Sequence, residues 1–432
     1  MSAGFPAGHE ISTDTRAASL LRSGIRRGAL LVFVPVFVAG QATAWLTYAV
    51  SGWYRPWSWF KIGLAETLAS VRVTFIARSS AGPGTPSIGS ASQAGTVLEV
   101  AIGALAIAVV ILAFRAGREQ ARGLEERPLA AAIAGAVPSV GFAVPMVLVA
   151  PFVTLGFPQF GIDHLRPVLW EALVLPLAVC GSCGAIGGLA VAREAVEERG
   201  RWGVRAVGAA RGGFTAFWWG LALALAGFLV LAVLEPGATG AYARFVDRSG
   251  GSGAALVVQH ALLLPNQSAM ILATSMGAPT TLDIGSTTVA RLTLSGIQTN
   301  GNIGAGLAAL AGAPSTAAAF PAWYHVFLAI PTAASSIGGR TAGRAANGRP
   351  EAALRGALAG AVFGLLCGLA SWAAATVLPP WSTILGGSLR LGADPGLTTV
   401  LALGWGVVGG TIGSMVAERG RRARGGLTRA RG

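Results

Sequence analysis

The chain has 432 residues, of which 53% are hydrophobic and 12% charged, and its mean hydropathy is +0.62. This composition excludes an ordinary soluble enzyme and predicts an all-α polytopic membrane protein. The formal charge of +14 does not indicate a nucleic-acid partner, because the basic residues lie in clusters between apolar runs, as the positive-inside rule requires. The lipid bilayer of the cytoplasmic membrane is therefore the expected surrounding. Arginine supplies every basic residue except Lys61, which favours a GC-rich bacterial source.

Eight apolar runs separate these basic clusters. Residues 1–28 form an arginine-bearing cytoplasmic leader and residues 417–432 a basic cytoplasmic tail. The predicted spans are 29–50, 96–114, 129–157, 168–192, 214–234, 320–338, 356–378 and 397–416. Most of the basic residues then lie inside, which places both termini in the cytoplasm. Ala42-Thr43-Ala44 resembles a signal-peptidase site, but the apolar run continues to Val50 and favours an uncleaved anchor.

Residues 53–77 have a different pattern. Phe60, Leu64, Leu68, Val71 and Phe75 recur at helical spacing behind a cluster of aromatic residues. This pattern predicts an amphipathic helix that lies in the outer membrane interface. A Gly/Pro/Ser-rich loop is expected to follow at residues 79–93.

The apolar stretch 253–277 is interrupted by Pro265-Asn266-Gln267-Ser268. Each piece is only about half as long as a helix needs to cross a bilayer, so the stretch predicts a re-entrant hairpin within an eight-span protein. Residues 278–319 then form an outer loop, in which the apolar pattern of residues 282–294 fits either a small β-hairpin or only a loop. The alternative is ten spans, with 253–277 and the Ala/Gly-rich run 303–319 as the two additional crossings.

Helices interrupted within the membrane are frequent at the polar sites of transporters. The candidate polar site consists of Gln259, His260, Pro265, Asn266, Gln267 and Ser268. An ordinary alternative is that His260 is only packed and hydrogen-bonded inside the helix bundle. Glu99 and Glu171 lie in the first turn of helices that run inward, where capping or solvation is the simpler explanation.

Glycines repeat every four residues in the last two spans. The predicted helix-packing residues are Gly356, Gly360, Gly364, Gly368, Gly406 and Gly410. Small residues at this spacing allow the backbones of apolar helices to approach closely. The partner is expected to be a helix of the same chain, with self-association or another membrane protein as the alternative.

A weak internal similarity is also visible. Gly184-Ala-Ile-Gly-Gly188 and Ser336-Ile-Gly-Gly339 each end an inward span and precede an arginine-rich loop. Duplicated halves are common in transporters, although hairpins under one topological rule also look alike.

Signatures of enzymes are absent from the sequence. It contains no HExxH, GxSxG or GxxxxGK[ST] motif. The four histidines show no spacing typical of metal ligands. We therefore expect neither a catalytic residue, nor a metal, nor a cofactor.

Leu264-Pro265-Asn266, then Met276-Gly277, then the run from Phe327 to Gly339 resemble the actinobacterial multi-spanning membrane proteins of the PerM type, over about 255–339. Residues 281–302 depart from that family, because they lack its aromatic-glycine pattern. The resemblance implies a non-enzymatic role in cell division or envelope assembly. Two hypotheses thus stand, a permease-like transporter for a small polar solute and a membrane scaffold.

Overall fold

The computed structural model describes residues 11–51, 56–78, 96–157, 162–198, 200–234, 251–300, 318–344, 346, 348–378 and 388–429. Most of these residues are helical. In chain order the α-helices are α1 (Ile11–Arg27), α2 (Val34–Ser51), α3 (Pro56–Ala69), α4 (Gly103–Gln120), α5 (Pro128–Ala136), α6 (Pro138–Val149), α7 (Glu171–Val191), α8 (Arg193–Glu198), α9 (Arg201–Leu234), α10 (Gly251–Ser275), α11 (Ala329–Gly343), α12 (Arg349–Ala374) and α13 (Pro395–Arg429). A π-helical segment, Gly28–Phe33, joins α1 to α2, and 3-10 helices occupy Ala150–Phe152 and Ala322–Leu328.

Short strands gather at one end of the helices. They are β1 (Phe75–Arg78), β2 (Thr96–Leu98), β3 (Leu155–Phe157), β4 (Ile162–Pro167), β5 (Thr280–Ile284), β6 (Thr287–Thr293), β7 (Gly296–Thr299), β8 (Ala318–Ala319), β9 (Thr376–Leu378) and β10 (Leu389–Ala393). They form two antiparallel sheets, ordered β2-β1-β4-β3 and β8-β7-β6-β5-β10-β9. Glu99 and Val377 exchange two backbone hydrogen bonds of 2.8 Å, which join the sheets edge to edge. Of the two alternatives for residues 282–294, the hairpin is the one observed, as β5 and β6, whereas the other strands were not predicted.

Six helical segments of the described chain are long and apolar enough to cross a membrane: Ala18–Thr47, Pro128–Phe152, Glu171–Val191, Arg201–Leu234, Arg349–Ala374 and Pro395–Arg421. They coincide with six of the eight predicted spans and confirm a helical membrane protein. Several predicted bounds were wrong. The leader is helical from Ile11 and continues into the first span, because the π-helical segment does not end the helix.

The two remaining predicted spans differ more. Residues 96–98 belong to β2, so the helix of the span 96–114 is α4, from Gly103 to Gln120. The span 320–338 consists of a 3-10 helix followed by α11. The predicted loop 79–93 and most of the run 303–319 lie outside the described residues.

The broken helix and the interfacial helix also need correction. Residues 251–275 form one continuous helix with Pro265 inside it, so the stretch is not a helical hairpin. Proline removes one i→i−4 hydrogen bond, but the bonds on either side are sufficient to continue the helix. The prediction of an interfacial amphipathic helix is also wrong. Helix α3 ends at Ala69, and its polar side is buried as well as its apolar side, since Glu66 is 5% and Thr67 0% exposed.

The order of elements occurs twice along the chain. Residues 11–191 (the first half) and 201–429 (the second half) each begin with a long helical segment and a second helix, continue through strands and further helices to two more strands, and end with a last helix. The strands pair in the same way, since β4 lies between β1 and β3 just as β10 lies between β5 and β9. The fold is therefore an internal duplication.

Glycine contacts match between the halves. A Cβ added at Gly117 or at Gly135 would overlap the carbonyl oxygen of Gly184 in α7. A Cβ added at Gly339 or at Gly356 would likewise overlap that of Gly410 in α13. In each half, the last helix therefore touches the backbones of two earlier helices.

This correspondence changes the alignment suggested by the sequence. Gly184 corresponds to Gly410 in the second half. Gly339 corresponds to Gly117, which also precedes an arginine. The similarity of Gly184–Gly188 to Ser336–Gly339 is thus not the register of the duplication.

The predicted glycine face of α12 packs inside the chain. Gly356 and Gly360 meet Gly410 and Gly406 of α13, and the two helices have the most extensive contact in the protein. Gly364 lies against Leu403 and Gly368 against Thr399 of the same helix. The intramolecular interpretation of these glycines is the one that the structure supports.

We expect Gly360→Ala to lower the Tm of the purified protein, because the new methyl group overlaps the backbone at Gly406. Overpacking of this kind costs about 1–3 kcal/mol. Gly404→Ala is the matched control, since Gly404 is exposed on α13 and nothing lies within 4 Å of its added Cβ. Equal Tm values for the two variants, measured by fluorescence-detected unfolding in detergent, would contradict this account.

Candidate functional site

Helix α10 of the second half packs on α2 and α4 of the first half. Its polar residues are therefore placed at the contact between the halves. Leu262 lies against a small core formed by Ala69, Ile102 and Leu105 of the first half. The predicted site residues lie close together along α10, but they do not converge on one point.

Asn266 fastens α10 to the start of α4. Its side-chain oxygen accepts a 2.9 Å hydrogen bond from the Gly103 amide, and its nitrogen donates a 2.8 Å bond to the Ala101 carbonyl. These bonds satisfy two backbone groups at a helix N-terminus. A side chain at residue 103 would overlap Asn266 and Pro265, so glycine is required there. Asn266 is thus a structural contact and not a group available to a solute.

Ser268 has a similarly local role. Its hydroxyl donates a 2.9 Å hydrogen bond to the carbonyl of Leu264, four residues earlier in the helix. Bonds of this kind are common next to a helical proline, where the backbone pattern is interrupted. Pro265 and Ser268 therefore shape α10 rather than line a binding site.

His260 and Gln267 form a pair on α10. The Gln267 side-chain nitrogen lies 3.3 Å from His260 Nδ1, and the His260 ring is 6.3 Å from the ring of Phe228 in α9. The side-chain oxygen of Gln267 is buried and accepts no hydrogen bond. An unsatisfied buried acceptor is unfavourable, so this oxygen is a candidate contact for a ligand or a water.

Gln259 takes part in a cluster that the sequence did not reveal. Its side-chain nitrogen donates a 3.1 Å hydrogen bond to the Thr47 hydroxyl and lies 3.4 Å from Glu66 Oε1. The Thr43 hydroxyl donates to the other oxygen of Glu66. A carboxyl group of the first half is therefore held by an amide of the second half. Gln41, on the same helix as the threonines, has a buried side-chain oxygen without a partner.

Burial raises the pKa of Glu66 from 4.5 to about 7, against the opposing effect of the hydrogen bonds from Thr43 and Gln259. The carboxyl group can therefore gain or lose a proton near neutral pH. Groups of this kind are concentrated at functional sites. The cluster of Glu66, Thr43, Thr47 and Gln259, which we call the Glu66 cluster, is the candidate functional site.

A second buried charge lies where the two sheets meet. Arg72 follows α3, is 6% exposed, and donates a 2.9 Å hydrogen bond from Nη2 to Glu99. Its guanidinium carbon lies 4.3 Å from the ring centroid of Trp372, which belongs to the second half. Its Nε and Nη1 are buried and have no hydrogen-bond partner in the described part of the chain. Burial lowers the pKa of Arg72, and the nearby charge of Glu99 opposes that effect.

Arg72 also has a costly backbone conformation. Its φ is +62°, and among the described residues it is the only non-glycine residue with positive φ. The left-handed region costs a residue with a Cβ roughly 1–2 kcal/mol. Each unsatisfied buried donor adds about 1–3 kcal/mol. The position is thus unfavourable for arginine on two independent grounds.

The duplication identifies the equivalent of Arg72. Helix α3 ends with hydrogen bonds from Arg72 N to Ala69 O and from Val73 N to Leu68 O, and α10 ends with the same pattern at Gly277 and Ala278. Both are helix ends with a left-handed residue, for which glycine is the usual choice. Gly277, with φ of +97°, occupies the position in the second half. A cavity of about 220 Å³ adjoins Gly277, with Thr274, Ser295 and His325 among its lining residues.

Neither a metal site nor a groove elsewhere in the described chain adds to these residues. No group of three or more His, Cys, Asp or Glu side chains is arranged to hold a metal ion. A groove of about 700 Å³ along α1 is lined by Arg22, Arg26 and Arg27 together with small and apolar residues. None of the residues lining this groove belongs to the Glu66 cluster.

These features define an integral membrane protein built from two similar halves, with polar residues at the contact between them. The chain matches no family model, no curated protein and no solved structure.

Sequence reasoning missed Glu66 and Arg72. Both had been assigned to a helix on the membrane surface, where charged residues need no explanation. One signal was available, because Glu66 is the sole acidic residue of the apolar run from Phe60 to Val71. Arg72 gave no signal in the sequence. It stands where a helix end usually has glycine, but a single sequence does not show that a helix ends there in a left-handed conformation.

The stability of the protein should depend on pH through Glu66. The pKa of this carboxyl is raised to about 7, so its stabilising contribution is complete below about pH 4.5 and is lost as the pH rises through 7. We expect Tm to fall between about pH 5 and pH 8 and Glu66→Gln to remove most of that fall, on the order of 3 kcal/mol in free energy of unfolding.

Glu126→Gln, at an exposed residue of the loop between α4 and α5, is the control and should keep the parental pH dependence. Thermal unfolding of the two variants and the parent across this pH range makes the comparison. A Glu66→Gln curve parallel to that of the parent would refute the assignment.

Proposed function

We propose that the protein is a non-enzymatic, permease-like transporter of the cytoplasmic membrane that moves a small polar solute together with a proton. The observation that carries this proposal is the buried Glu66 carboxyl of the first half, held by Gln259 of the second. A titratable group buried between repeats is the usual position of a coupling site in secondary transporters. The polar site predicted from the sequence contained no carboxylate, and Glu66 supplies one.

The proposed topology has eight spans, four in each half, with both termini in the cytoplasm. Two further spans complete the eight: α4 in the first half, and α11 with its preceding 3-10 helix in the second. These two spans are equivalent under the duplication. Helices α3 and α10 are equivalent as well and do not cross. An even number of spans in each half gives the halves the same orientation, with the sheets outside and the arginine-rich loops inside.

The proposed movement follows from the way the halves meet. Gln259 can hold the Glu66 cluster together only while α10 rests against α2. Deprotonation of Glu66 leaves a charge in a buried position, and the cost of that buried charge favours separation of α10 from α2, because water then reaches the carboxylate. Separation of α10 from α2 would then admit a solute to Thr43, Thr47 and the Gln41 side-chain oxygen.

The scaffold hypothesis, with a role in cell division or envelope assembly, has less support. It relied on glycine faces that bind partner proteins, and the glycines of α12 and α13 contact each other instead. The resemblance to PerM-type proteins rests on Pro265, Asn266 and Gly277 among others. Here Asn266 and Gly277 have local structural roles.

Transport can be measured in proteoliposomes loaded with a pH-sensitive dye and given a pH gradient. We expect at least one solute from a panel of amino acids, sugars and polyols to move protons with it. Glu66→Gln and Gln259→Leu should abolish this flux. Gly404→Ala, on an exposed face of α13, should leave it unchanged. A scaffold would show no solute-dependent flux in any of these proteins.

The topology has a separate test. Ser286 lies in the exposed turn between β5 and β6. In a background without the native cysteines, we expect Ser286→Cys to react with an impermeant maleimide added to intact cells. A cysteine at Arg122, in the loop that follows α4, should react only after lysis. The opposite pattern would contradict the proposed orientation.

A further inference from the structure

The geometry points to a second binding site, independent of the Glu66 cluster, in which Arg72 binds the carboxylate or phosphate group of a small anionic solute at the junction of the two sheets. Three features of Arg72 carry this inference: its unmet hydrogen-bond donors, the arrangement of its neighbours and its backbone conformation.

The guanidinium group of Arg72 has unused hydrogen-bond donors. A guanidinium group has one N–H at Nε and two at each terminal nitrogen, and in Arg72 only Nη2 has a partner, the carboxylate of Glu99. Nε and Nη1 are buried without a partner among the described residues. Buried donors of a charged group are normally satisfied, so an acceptor from outside the chain is the natural explanation.

The described neighbours of Arg72 provide no acceptor for Nε and Nη1. Trp372 makes a cation–π contact with Arg72, whose guanidinium carbon lies 4.3 Å from the ring centroid. Planar donors around the edge of an arginine match the two oxygens of a carboxylate or phosphate group. The nearby carboxylate of Glu171 is used elsewhere, since it accepts a 2.8 Å hydrogen bond from the Thr74 amide.

Other charges act on Arg72 from both sheets. Arg390 in β10 adds positive charge, while Glu99 and Glu171 add negative charge. Two cations and two carboxylates leave the surroundings close to neutral, so a singly charged anion is not repelled. The charges around Arg72 are therefore compatible with a site that accepts an anion from solvent.

Comparison of Arg72 with its equivalent Gly277 shows which residue the helix end itself requires. The helix end requires a left-handed residue, and Gly277 meets that requirement in the second half without strain. The first half carries arginine in spite of the strain. Strained residues that the fold does not need are typical of binding and active sites. The fold would accept glycine at residue 72, and the anion accounts for arginine.

Both unpartnered nitrogens are closed to solvent. An anion can therefore enter only when the sheets part near the two hydrogen bonds between Glu99 and Val377. Glu99 and Arg72 lie in the first half and Val377 and Trp372 in the second. Binding at Arg72 thus draws on residues of both halves and favours the closed junction.

The test is the thermal unfolding of the full-length protein in detergent, with acetate or inorganic phosphate added and sodium chloride at equal ionic strength as reference. A ligand that binds only the folded state raises Tm in a saturable way. We expect such a rise with at least one of the two anions. The anion that gives the larger rise shows whether the site takes a carboxylate or a phosphate group.

Arg72→Gly copies the residue found at Gly277 and should unfold as one transition with no response to either anion. Arg72→Lys keeps the charge without the planar donors and should respond more weakly than the parent, and it serves if the glycine variant does not fold. Arg166→Gln, at an exposed residue of β4 beside β1, is the matched control and should respond as the parent does.

Glu66→Gln should also respond as the parent does, which keeps this proposal separate from the transport mechanism. The proposal is overturned if neither anion raises the Tm of the parent above the chloride reference, or if Arg72→Gly retains the rise.

Discussion

Close contact between helix backbones at glycine is the constraint on which the rest of this structure depends. Lipid surrounds the helices, so apolar side chains gain little from leaving the lipid for another helix. Dispersion between backbones takes the place of the hydrophobic effect, and it requires the absence of Cβ atoms. Gly184 against Gly117 and Gly135, and Gly410 against Gly339 and Gly356, give each half a three-helix unit built on this contact.

The contact between the halves has another character. Asn266 joins α10 to α4, Gln259 approaches Glu66, and the backbone of Glu99 pairs with that of Val377. These are hydrogen bonds, which have specific directions and can be exchanged for bonds to a solute or water. Within a half, the glycine contacts are too close to permit much movement. Each half is therefore expected to be rigid, whereas the two halves can move relative to each other.

The duplicated framework also shows where the halves have diverged. Helices α3 and α10 end with the same hydrogen-bond pattern, but one ends in Arg72 and the other in Gly277. Glu66 occupies the position of Ile271, counted back from those ends. The first half therefore contributes the ionisable groups, and the second contributes neutral partners such as Gln259 and Trp372. Both proposed sites combine a charge from the first half with a neutral side chain from the second.

The sequence by itself determined the membrane class, six of the spans and the glycine face of α12, and it left a hairpin at β5 and β6 as one of two alternatives. These follow from local composition and period, which act over one helix or one hairpin. Only the tertiary structure revealed the register of the duplication, the continuity of α10 through Pro265, and the neighbours of Glu66 and Arg72. Those depend on partners about 20 to 300 residues away in the chain, such as Thr43, Gln259 and Trp372, and a side chain's burial and hydrogen bonds are set by such partners rather than by its sequence neighbours.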